Sequence, residues 1–327
     1  MDKAGKIDIK GENMGYAIFA GVLSLIGGAA LTRFLIGLQL RLRVSQVQKS
    51  YGVGIDAEVK GSTPTLGGVA FVLTALAALV VQGSHEALFF WSLPIACGAI
   101  GFTDDWLKLT KKSSEGFSSL RKLAVQLIVS SVWIFWARWR GALFLWPGLG
   151  CPDWLLVPAA VLATAGMMNA VNVTDGLDGL AGGAFLISLS TPACLVMLPS
   201  PEYCVQFAIL FGTAAGFLFY NTHPARIFMG DAGSHFLGGA LVAVCVSGGM
   251  ALALIPAGFI FGIELLSSAV QIISIRKFNK KIFKMAPLHH HFQLMGWDET
   301  TVTMRFLLVH AVGAAFTAAL CVSIWGT

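Results

Sequence analysis

The sequence predicts an all-α polytopic integral membrane protein with about ten transmembrane helices, because apolar residues dominate it and charge is scarce. Of the 327 residues, 56% are hydrophobic and only 12% are charged, and the mean hydropathy is +0.76. Soluble globular proteins are about 45–50% apolar and about 25% charged. The apolar residues also form continuous runs, which indicate helices, whereas the strands of a membrane barrel alternate. This composition excludes a soluble multidomain enzyme and a disordered chain.

Ten apolar runs are long enough to cross a bilayer, whose core of about 30 Å needs about 20 residues per helix. The predicted spans lie near residues 15–40, 65–83, 86–102, 120–137, 153–171, 179–199, 204–220, 235–253, 256–275 and 305–326. The first run is too long for a cleavable signal sequence, and the residues before it are polar and of mixed charge. We therefore expect it to be a retained span.

The basic residues predict the orientation of these spans. Most of the 22 Lys and Arg residues follow the first, third, seventh and ninth spans, on one side of a ten-span topology. Basic loops stay in the cytoplasm, so we expect this face to be cytoplasmic. The formal net charge of +5 is small and dispersed, and it does not indicate nucleic-acid binding.

The six cysteines predict buried thiols rather than disulfides or a metal site, because they occur singly in apolar surroundings without a CxxC pair. They are Cys97, Cys151, Cys194, Cys204, Cys245 and Cys321.

Acidic and amide side chains gather at the predicted cytoplasmic ends of the spans. They are Asp104, Asp105, Asp175, Asp178, Asp231, Asn169, Asn172 and Asn221. A carboxylate beside hydrocarbon costs several kcal/mol unless it is paired, hydrated or bound to a metal. Their convergence from three separate loops therefore indicates one shared polar site.

Two motifs carry most of these residues. In GFTDDWLKL (101–109), the adjacent carboxylates of Asp104 and Asp105 repel unless a cation or solvent is near. The alternative is a solvated helix end with an Asp104–Lys108 pair. In NAVNVTDGLDG (169–179), amides or carboxylates recur at every third position, and two glycines let a ligand approach the backbone. A simple interhelical loop would not require four such residues.

Three further motifs suggest contacts to phosphate and sugar. In NTHPARIFMGDAGS (221–234), Asp231 lies between glycines at a helix start, where anions or metal–phosphate complexes bind. Phe228 could face a base, although a single Phe more often serves packing. In APLHHHFQLMGW (286–297), three successive histidines cannot all point one way, so we expect phosphate contacts rather than a three-histidine zinc site. KGSTPTLGG (60–68) is either a phosphate-binding loop or a turn.

The chemistry predicted from these motifs is phosphoryl transfer at a membrane surface. The chain has no GxxxxGK[ST], GxGxxG, GxSxG or HExxH motif, so ATP-driven transport, dinucleotide redox chemistry and serine hydrolysis have no support. Mg²⁺ held by one or two carboxylates would bridge phosphate oxygens, and Lys and His would neutralise the remaining charge. Phosphoryl transfer depends on such positioning and charge stabilisation.

The five motifs TPTLGG, GFTDDWLKL, NAVNVTDGLDGLAGG, FMGDAGSHFLGG and APLHHHFQLMGW resemble those of the phospho-N-acetylmuramoyl-pentapeptide transferase family, and they occur in the family's order. This family belongs to the polyprenyl-phosphate N-acetylhexosamine-1-phosphate transferases, and the HHH and FQLMGW elements favour its muramoyl-pentapeptide branch. The resemblance implies a single transmembrane transferase domain over residues 1–327, in the bacterial inner (cytoplasmic) membrane, with its active site facing the cytoplasm. It also implies a Mg²⁺ cofactor and a homodimer.

The implied reaction transfers phospho-MurNAc-pentapeptide from UDP-MurNAc-pentapeptide to undecaprenyl phosphate, giving lipid I and UMP for peptidoglycan synthesis. We favour direct attack by the lipid phosphate, already an anion at neutral pH, over a covalent intermediate on Asp231. One alternative is a related transferase for another UDP-N-acetylhexosamine. The other is a transporter, which would place charges at mid-span, whereas only Glu264 lies well inside a predicted span.

The resemblance also implies residue roles. Asp231 and Asn172 would bind Mg²⁺, and Asp104, with Asp105 beside it, would be the base or orienter for the lipid phosphate. The catalytic residues would be Asp104, Asp105, Asp231 and His290. Substrate-binding residues would be Lys60, Thr65, Lys108, Lys122, Asn169, Asn172, Asp175, Asp178, Asn221, Phe228 (on uracil), His289, His291 and Glu264.

Three features lie outside the family pattern or its motifs. Glu264 is a functional candidate because it is an intramembrane carboxylate, and we predict that it borders the lipid-phosphate groove. Pro256 is predicted to bend or break the ninth span. His235 stands where the family has a less polar residue, and FSSLRK (117–122) departs from the family's usual run, which leaves Lys122 as the match.

Overall fold

The apolar runs form helices that pack side by side in the computed structural model of the chain, which describes residues 4–42, 63–111, 113, 116–196 and 203–325. The helices are α1 (Ala4–Leu42), α2 (Val69–Gln82), α3 (His85–Lys111), α4 (Ser119–Trp139), α5 (Asp153–Thr174), α6 (Leu180–Val196), α7 (Cys204–Asn221), α8 (Gly230–Ser247), α9 (Leu254–Ala257), α10 (Phe259–Phe278), α11 (Leu288–Gln293) and α12 (Glu299–Trp325). The described residues form no β-strand, which confirms the all-α prediction.

Seven of these helices are long and apolar enough to cross a membrane. They are Met14–Leu42 within α1, α3, α4, α5, α7, α10 and Glu299–Ile324 within α12. The other predicted runs also coincide with helices, of which α2 and the Leu180–Ser190 part of α6 are shorter apolar ones. A polytopic membrane protein is therefore confirmed, whereas the count of ten spans is not.

Large apolar side chains cover the outer helices. Val80, Trp139 and Phe219 are 81%, 83% and 79% exposed. An extensive apolar surface of this kind marks contact with lipid or with a partner protein. In a chain with several membrane-length helices, lipid is its natural environment.

Helix α8 is the centre of the bundle, since every residue from Ala232 to Ser247 is buried. It packs against α3 and α5. Small residues permit this approach: a Cβ added to Gly238 would lie 2.7 Å from the Cα of Met168 on α5. The packing brings the first turn of α8, with Asp231, to the polar ends of α3 and α5.

Helix α3 is longer than its apolar run, which is predicted to end near residue 102. It continues to Lys111, so the GFTDDWLKL motif lies on the helix and not in a loop. Lys108 lies four residues after Asp104 and forms an ion pair with it, which stabilises the polar turn. The carboxylates of this motif are thus fixed on a regular element.

The ninth predicted span is broken as Pro256 predicts. Helix α9 ends at Ala257 and α10 begins at Phe259, with Gly258 between them. Ser188 of α6 donates a hydrogen bond to the carbonyl of Ala257, and the His310 ring lies 2.9 Å from the Ser188 hydroxyl. Ser188 therefore satisfies a backbone carbonyl at the break, and His310 of α12 contacts the Ser188 hydroxyl.

Candidate functional site

Three carboxylates from two helices form the centre of the site. Asp104 and Asp105 lie on α3, and Asp231 lies in the first turn of α8. Each offers an oxygen within 4.8 Å of the others. Asp104 and Asp105 are only 2% and 1% exposed. Such a buried acidic group requires cations, hydrogen bonds or both.

Two lysines supply the compensating charge. Lys108 Nζ lies 2.9 Å from Asp231 Oδ2 and 2.8 Å from Asp104 Oδ2. Lys122 of α4 contacts the same Asp231 oxygen, and its Nζ lies 3.7 Å from Asp104 Oδ2. With all five groups ionised, the cluster keeps one net negative charge. The predicted site residues Lys108 and Lys122 are thus brought together with the aspartates.

Backbone amides orient two of the carboxylates. Phe117 N donates to Asp104 Oδ1 at 2.7 Å, and Ala232 N donates to Asp105 Oδ2 at 3.0 Å. Asp105 Oδ1 accepts no hydrogen bond from the described residues, and Lys108 Nζ is 3.6 Å away from it. One carboxylate oxygen of the cluster therefore remains available to another electropositive partner.

Asn172, near the end of α5, bonds to the Asp231 oxygen that the two lysines do not contact. Its Nδ2 donates to Asp231 Oδ1 at 2.8 Å and to the Ser234 hydroxyl at 2.9 Å. In this arrangement the amide nitrogen supports the carboxylate, and Oδ1 is the atom of Asn172 that could bind a metal.

Asn169 belongs to a second polar layer one turn deeper in the bundle. Its Nδ2 donates at 2.8 Å to Ala165 O and to Gln126 Oε1. Gln126 Nε2 in turn lies 3.0 Å from His235 Nε2. Gln126 and His235 are fully buried, and they follow Lys122 and Asp231 by four residues each. This layer therefore lies directly beneath the Lys122–Asp231 ion pair.

The loop that contains Thr65 pairs with the segment before Asp231. Phe228 N donates to Pro64 O, and Gly67 N and Gly68 N donate to the carbonyls of Phe228 and Met229, all at 2.9 Å. Thr65 is 1% exposed, and the Phe228 ring is partly exposed. The predicted site residue Lys60 lies outside the described residues.

The turn after α5 carries Asp175 and Asp178. Loss of hydration, together with the negative charges of Asp231, Asp105 and Asp178, raises the pKa of Asp175 well above its usual value. Asp178 Oδ2 accepts from Ala225 N at 3.0 Å and lies 3.1 Å from His223 Nδ1.

Asn221 and Glu299 stabilise the two loops that meet at Asp178. The Asn221 amide donates to Ile227 O at 2.9 Å, within the 222–229 loop. Glu299 at the start of α12 accepts from Asp178 N at 2.8 Å. Asp178, His223 and Glu299 also offer ligand atoms within 4.8 Å of one another.

The three histidines do not all point one way: the rings of His289 and His290 lie 4.2 Å apart, centroid to centroid, whereas His291 makes separate contacts. His289 is fully buried, next to Gly176 and Glu264. His290 Nδ1 lies 2.8 Å from Gln293 Oε1, and His291 Nδ1 accepts from Lys284 N at 3.0 Å. The tract therefore contributes separate contacts on α11, of which His289 reaches the turn after α5.

Comparison with known proteins identifies the family. A family model for glycosyl transferase family 4 matches residues 87–249. The phospho-N-acetylmuramoyl-pentapeptide-transferase of Symbiobacterium thermophilum is 38% identical over 305 residues, covering 88% of this chain and 90% of that protein. Those of Acetivibrio thermocellus and Shouchella clausii are 36% and 34% identical, covering 90% and 91% of this chain and 92% and 95% of theirs.

The chain belongs to the phospho-N-acetylmuramoyl-pentapeptide-transferase family. The resemblance seen in the motifs is thus confirmed. The glycosyl transferase family 4 match contains the three carboxylates and both lysines, whereas Glu264 and the histidine tract lie beyond it.

Some site residues of this family member were not predicted. His223 and Ser234 lie in the NTHPARIFMGDAGS motif without being singled out there, whereas Gln126 and Glu299 lie outside the motifs and Gln126 stands out only as an amide in the fourth apolar run. Glu264 was predicted to border a lipid-phosphate groove. Its carboxylate is instead fully buried against His289.

Proposed function

We propose that this protein transfers phospho-MurNAc-pentapeptide from UDP-MurNAc-pentapeptide to undecaprenyl phosphate, giving undecaprenyl-diphospho-MurNAc-pentapeptide (lipid I) and UMP. The observation that carries the proposal is the cluster of Asp104, Asp105 and Asp231 with Lys108 and Lys122, built at the polar ends of membrane-length helices. Clusters of this kind suit reactions in which the enzyme positions phosphates and stabilises their charge. The names of the curated relatives supply the sugar substrate.

We propose Mg²⁺ as the cofactor, held chiefly by Asp231. Its neighbours supply the hard oxygen atoms that Mg²⁺ prefers, since the three carboxylates converge and Asp105 Oδ1 accepts no hydrogen bond from the described residues. Asn172 would contribute Oδ1. An ion held by these residues would supply Lewis-acid stabilisation of negative charge on the phosphates.

The protein groups around this site would act on the two phosphates. Asp104 would orient the lipid phosphate, with Asp105 beside it, while Lys108 and Lys122 stabilise negative charge. An oxygen of the lipid phosphate forms a bond to the sugar-bearing phosphorus. The bond between that phosphorus and the oxygen bridging it to the uridine-bearing phosphorus breaks, and UMP leaves. The anomeric bond of the sugar is unchanged.

Nucleotide and sugar contacts would come from the loops that surround the carboxylates. Phe228 has a partly exposed ring suited to uracil, and Thr65 lies beside the start of α8. We assign phosphate and sugar contacts to Lys60, Asn221 and the three histidines, with His290 catalytic. Asp175 and Asp178 would border the nucleotide.

An apolar groove between α5 and α10 is suited to the prenyl chain of the acceptor. It encloses about 480 Å³, and its lining includes Leu156, Ala160, Gly166, Ala170, Gly262 and Leu266. Ala170, the last α5 residue of the lining, precedes Asn172 by two residues, so this end of the groove lies within one helical turn of the residue that bonds to Asp231. This geometry supports delivery of a lipid phosphate from the bilayer to the site.

We further propose a multi-pass location in the bacterial inner membrane, with the site facing the cytoplasm. The basic loops on the side of the aspartates support this orientation. The homodimer remains a prediction from the family resemblance.

Release of UMP tests the function. Purified protein is incubated with Mg²⁺, undecaprenyl phosphate and either UDP-MurNAc-pentapeptide or UDP-N-acetylglucosamine, and UMP is measured. We expect UMP with the pentapeptide substrate and little with the other. The reverse preference would favour a related sugar-phosphate transferase. No UMP from folded protein with either sugar would contradict a transferase.

A further inference from the structure

The structure places a fully buried carboxylate against a fully buried imidazole. Glu264 of α10 and His289 of α11 are both 0% exposed. Glu264 Oε1 accepts from His289 N at 3.2 Å, and Glu264 Oε2 lies 3.3 Å from His289 Nδ1. The carboxylate therefore bonds to the backbone of this histidine and places its charge beside the ring, although Oε2 and Nδ1 form no hydrogen bond with the described residues.

The opposite edge of the His289 ring faces the turn after α5. A Cβ added to Gly176 would overlap His289 Nε2, so only glycine allows the ring to lie there. Nε2 forms no hydrogen bond with the described residues. Gly176 itself is exposed and follows Asp175, so the ring lies one layer beneath the surface of that turn.

Glu264 lies apart from the apolar groove. Gly262, Ile263, Leu265 and Leu266 of α10 line the groove, whereas the Glu264 side chain points to α11 and is not part of the lining. A substitution at Glu264 should therefore change the position of His289 and leave binding of the prenyl chain unchanged. This separation allows the two roles to be distinguished kinetically.

We propose that Glu264 is a positioning residue for the sugar-nucleotide side of the site. Its carboxylate bonds to His289 N and places a negative charge 3.3 Å from Nδ1, which favours a proton on that ring nitrogen and fixes the position of His289. The ring edge that carries Nε2 then packs against Gly176, and this packing keeps the Asp175–Leu177 turn in place for the sugar nucleotide. The inference rests on the proposed function for the identity of that ligand.

Steady-state kinetics of Glu264→Gln provide the test. Gln keeps the size of the side chain and an acceptor for His289 N, but it removes the charge that faces Nδ1. We expect the KM for UDP-MurNAc-pentapeptide to rise about tenfold, while the KM for undecaprenyl phosphate stays constant. Ser267→Ala is the matched control, because Ser267 is buried on the same helix and, among the described residues, its hydroxyl donates to the Glu264 carbonyl. It should leave both KM values unchanged.

A double-mutant comparison separates positioning from general stability. In the His289→Ala background, Glu264→Gln should cause no further rise in the KM for the sugar nucleotide. The proposal is overturned if the two effects multiply, if Glu264→Gln behaves like wild type, or if both KM values rise together with a lower Tm.

A spectroscopic measurement keeps the test independent of turnover. The ¹⁵N shifts of the His289 ring, assigned by their loss in His289→Ala, should report an Nδ1–H tautomer that changes in Glu264→Gln. Unchanged shifts would contradict the proposal even if the wild-type protein released no UMP, a result that would instead refute the proposed function. If Glu264→Gln fails to fold, Glu264→Asp is used, for which a smaller change of the same sign is expected.

Discussion

Gly101 of α3 touches the backbone of Asp231 so closely that a Cβ added to Gly101 would overlap the Asp231 carbonyl oxygen. Gly68 makes a similar approach to Gly233, where an added Cβ would overlap the backbone nitrogen. Glycine permits such backbone contacts. Two glycines from separate motifs thus fix the first turn of α8, and with it the Asp231 carboxylate.

Gly101→Ala should displace Asp231 from Lys108 and Lys122 and lower kcat by about 100-fold, because small shifts of catalytic groups are costly. Gly37→Ala is the control, since an added Cβ at Gly37 meets nothing within 4 Å. The initial rate of UMP release measures both variants. A Gly101→Ala protein with wild-type kcat would contradict the close packing at this position.

Lys122→Met should lower kcat by about 100-fold or more, because it removes one of the two cations that contact both Asp104 and Asp231. Lys122→Arg should retain part of the activity. Arg121→Gln removes a neighbouring exposed charge and should have little effect, which controls for the general charge of this surface. Equal losses in Lys122→Met and Arg121→Gln would argue against a specific role for Lys122.

Removal of divalent metal should abolish UMP release, and added Mg²⁺ should restore it in the wild type. Asp231→Asn should remain inactive across the Mg²⁺ titration, because it loses the central carboxylate ligand. The control is Asp153→Asn, whose carboxylate is exposed and paired with Arg138. Full activity in a chelator, or normal Mg²⁺ dependence in Asp231→Asn, would refute the metal assignment.

Gln126→Leu should destabilise the protein by about 1–3 kcal/mol, because it leaves buried polar groups of Asn169 and His235 without their partner. Thermal unfolding in detergent gives the shift in Tm. Adding His235→Leu to this variant should recover part of the loss, since it removes one of the orphaned groups. An unchanged Tm in Gln126→Leu would show that this layer contributes nothing to stability.

The sequence identifies the helices and the polar face well, since hydropathy and charge placement depend on local composition. Each predicted apolar run coincides with a helix, and Asp104, Asp105, Asp231 and Asn172 do converge. Hydropathy ends the third span near residue 102, whereas α3 continues to Lys111 with the Asp104–Lys108 pair that the sequence offered only as an alternative.

The sequence could not predict which side chains contact each other across different helices. Lys108 and Asp231 are 123 residues apart, and their contact depends on how α3 and α8 pack, which no local pattern encodes. The same applies to Glu264, whose partner His289 lies on another helix. Sequence position suggested a groove for this carboxylate, whereas packing directs it toward the histidine tract.

The most direct test of the central claim uses UDP-MurNAc-pentapeptide with ¹⁸O in the anomeric position. Purified protein is incubated with this substrate, Mg²⁺ and undecaprenyl phosphate, and the masses of both products are measured by mass spectrometry. Attack on the sugar-bearing phosphorus predicts unlabelled UMP and undecaprenyl-diphospho-MurNAc-pentapeptide that retains the label. Loss of the label from the lipid product, or no lipid product from folded protein, would contradict phosphoryl transfer at the Asp104–Asp105–Asp231 site.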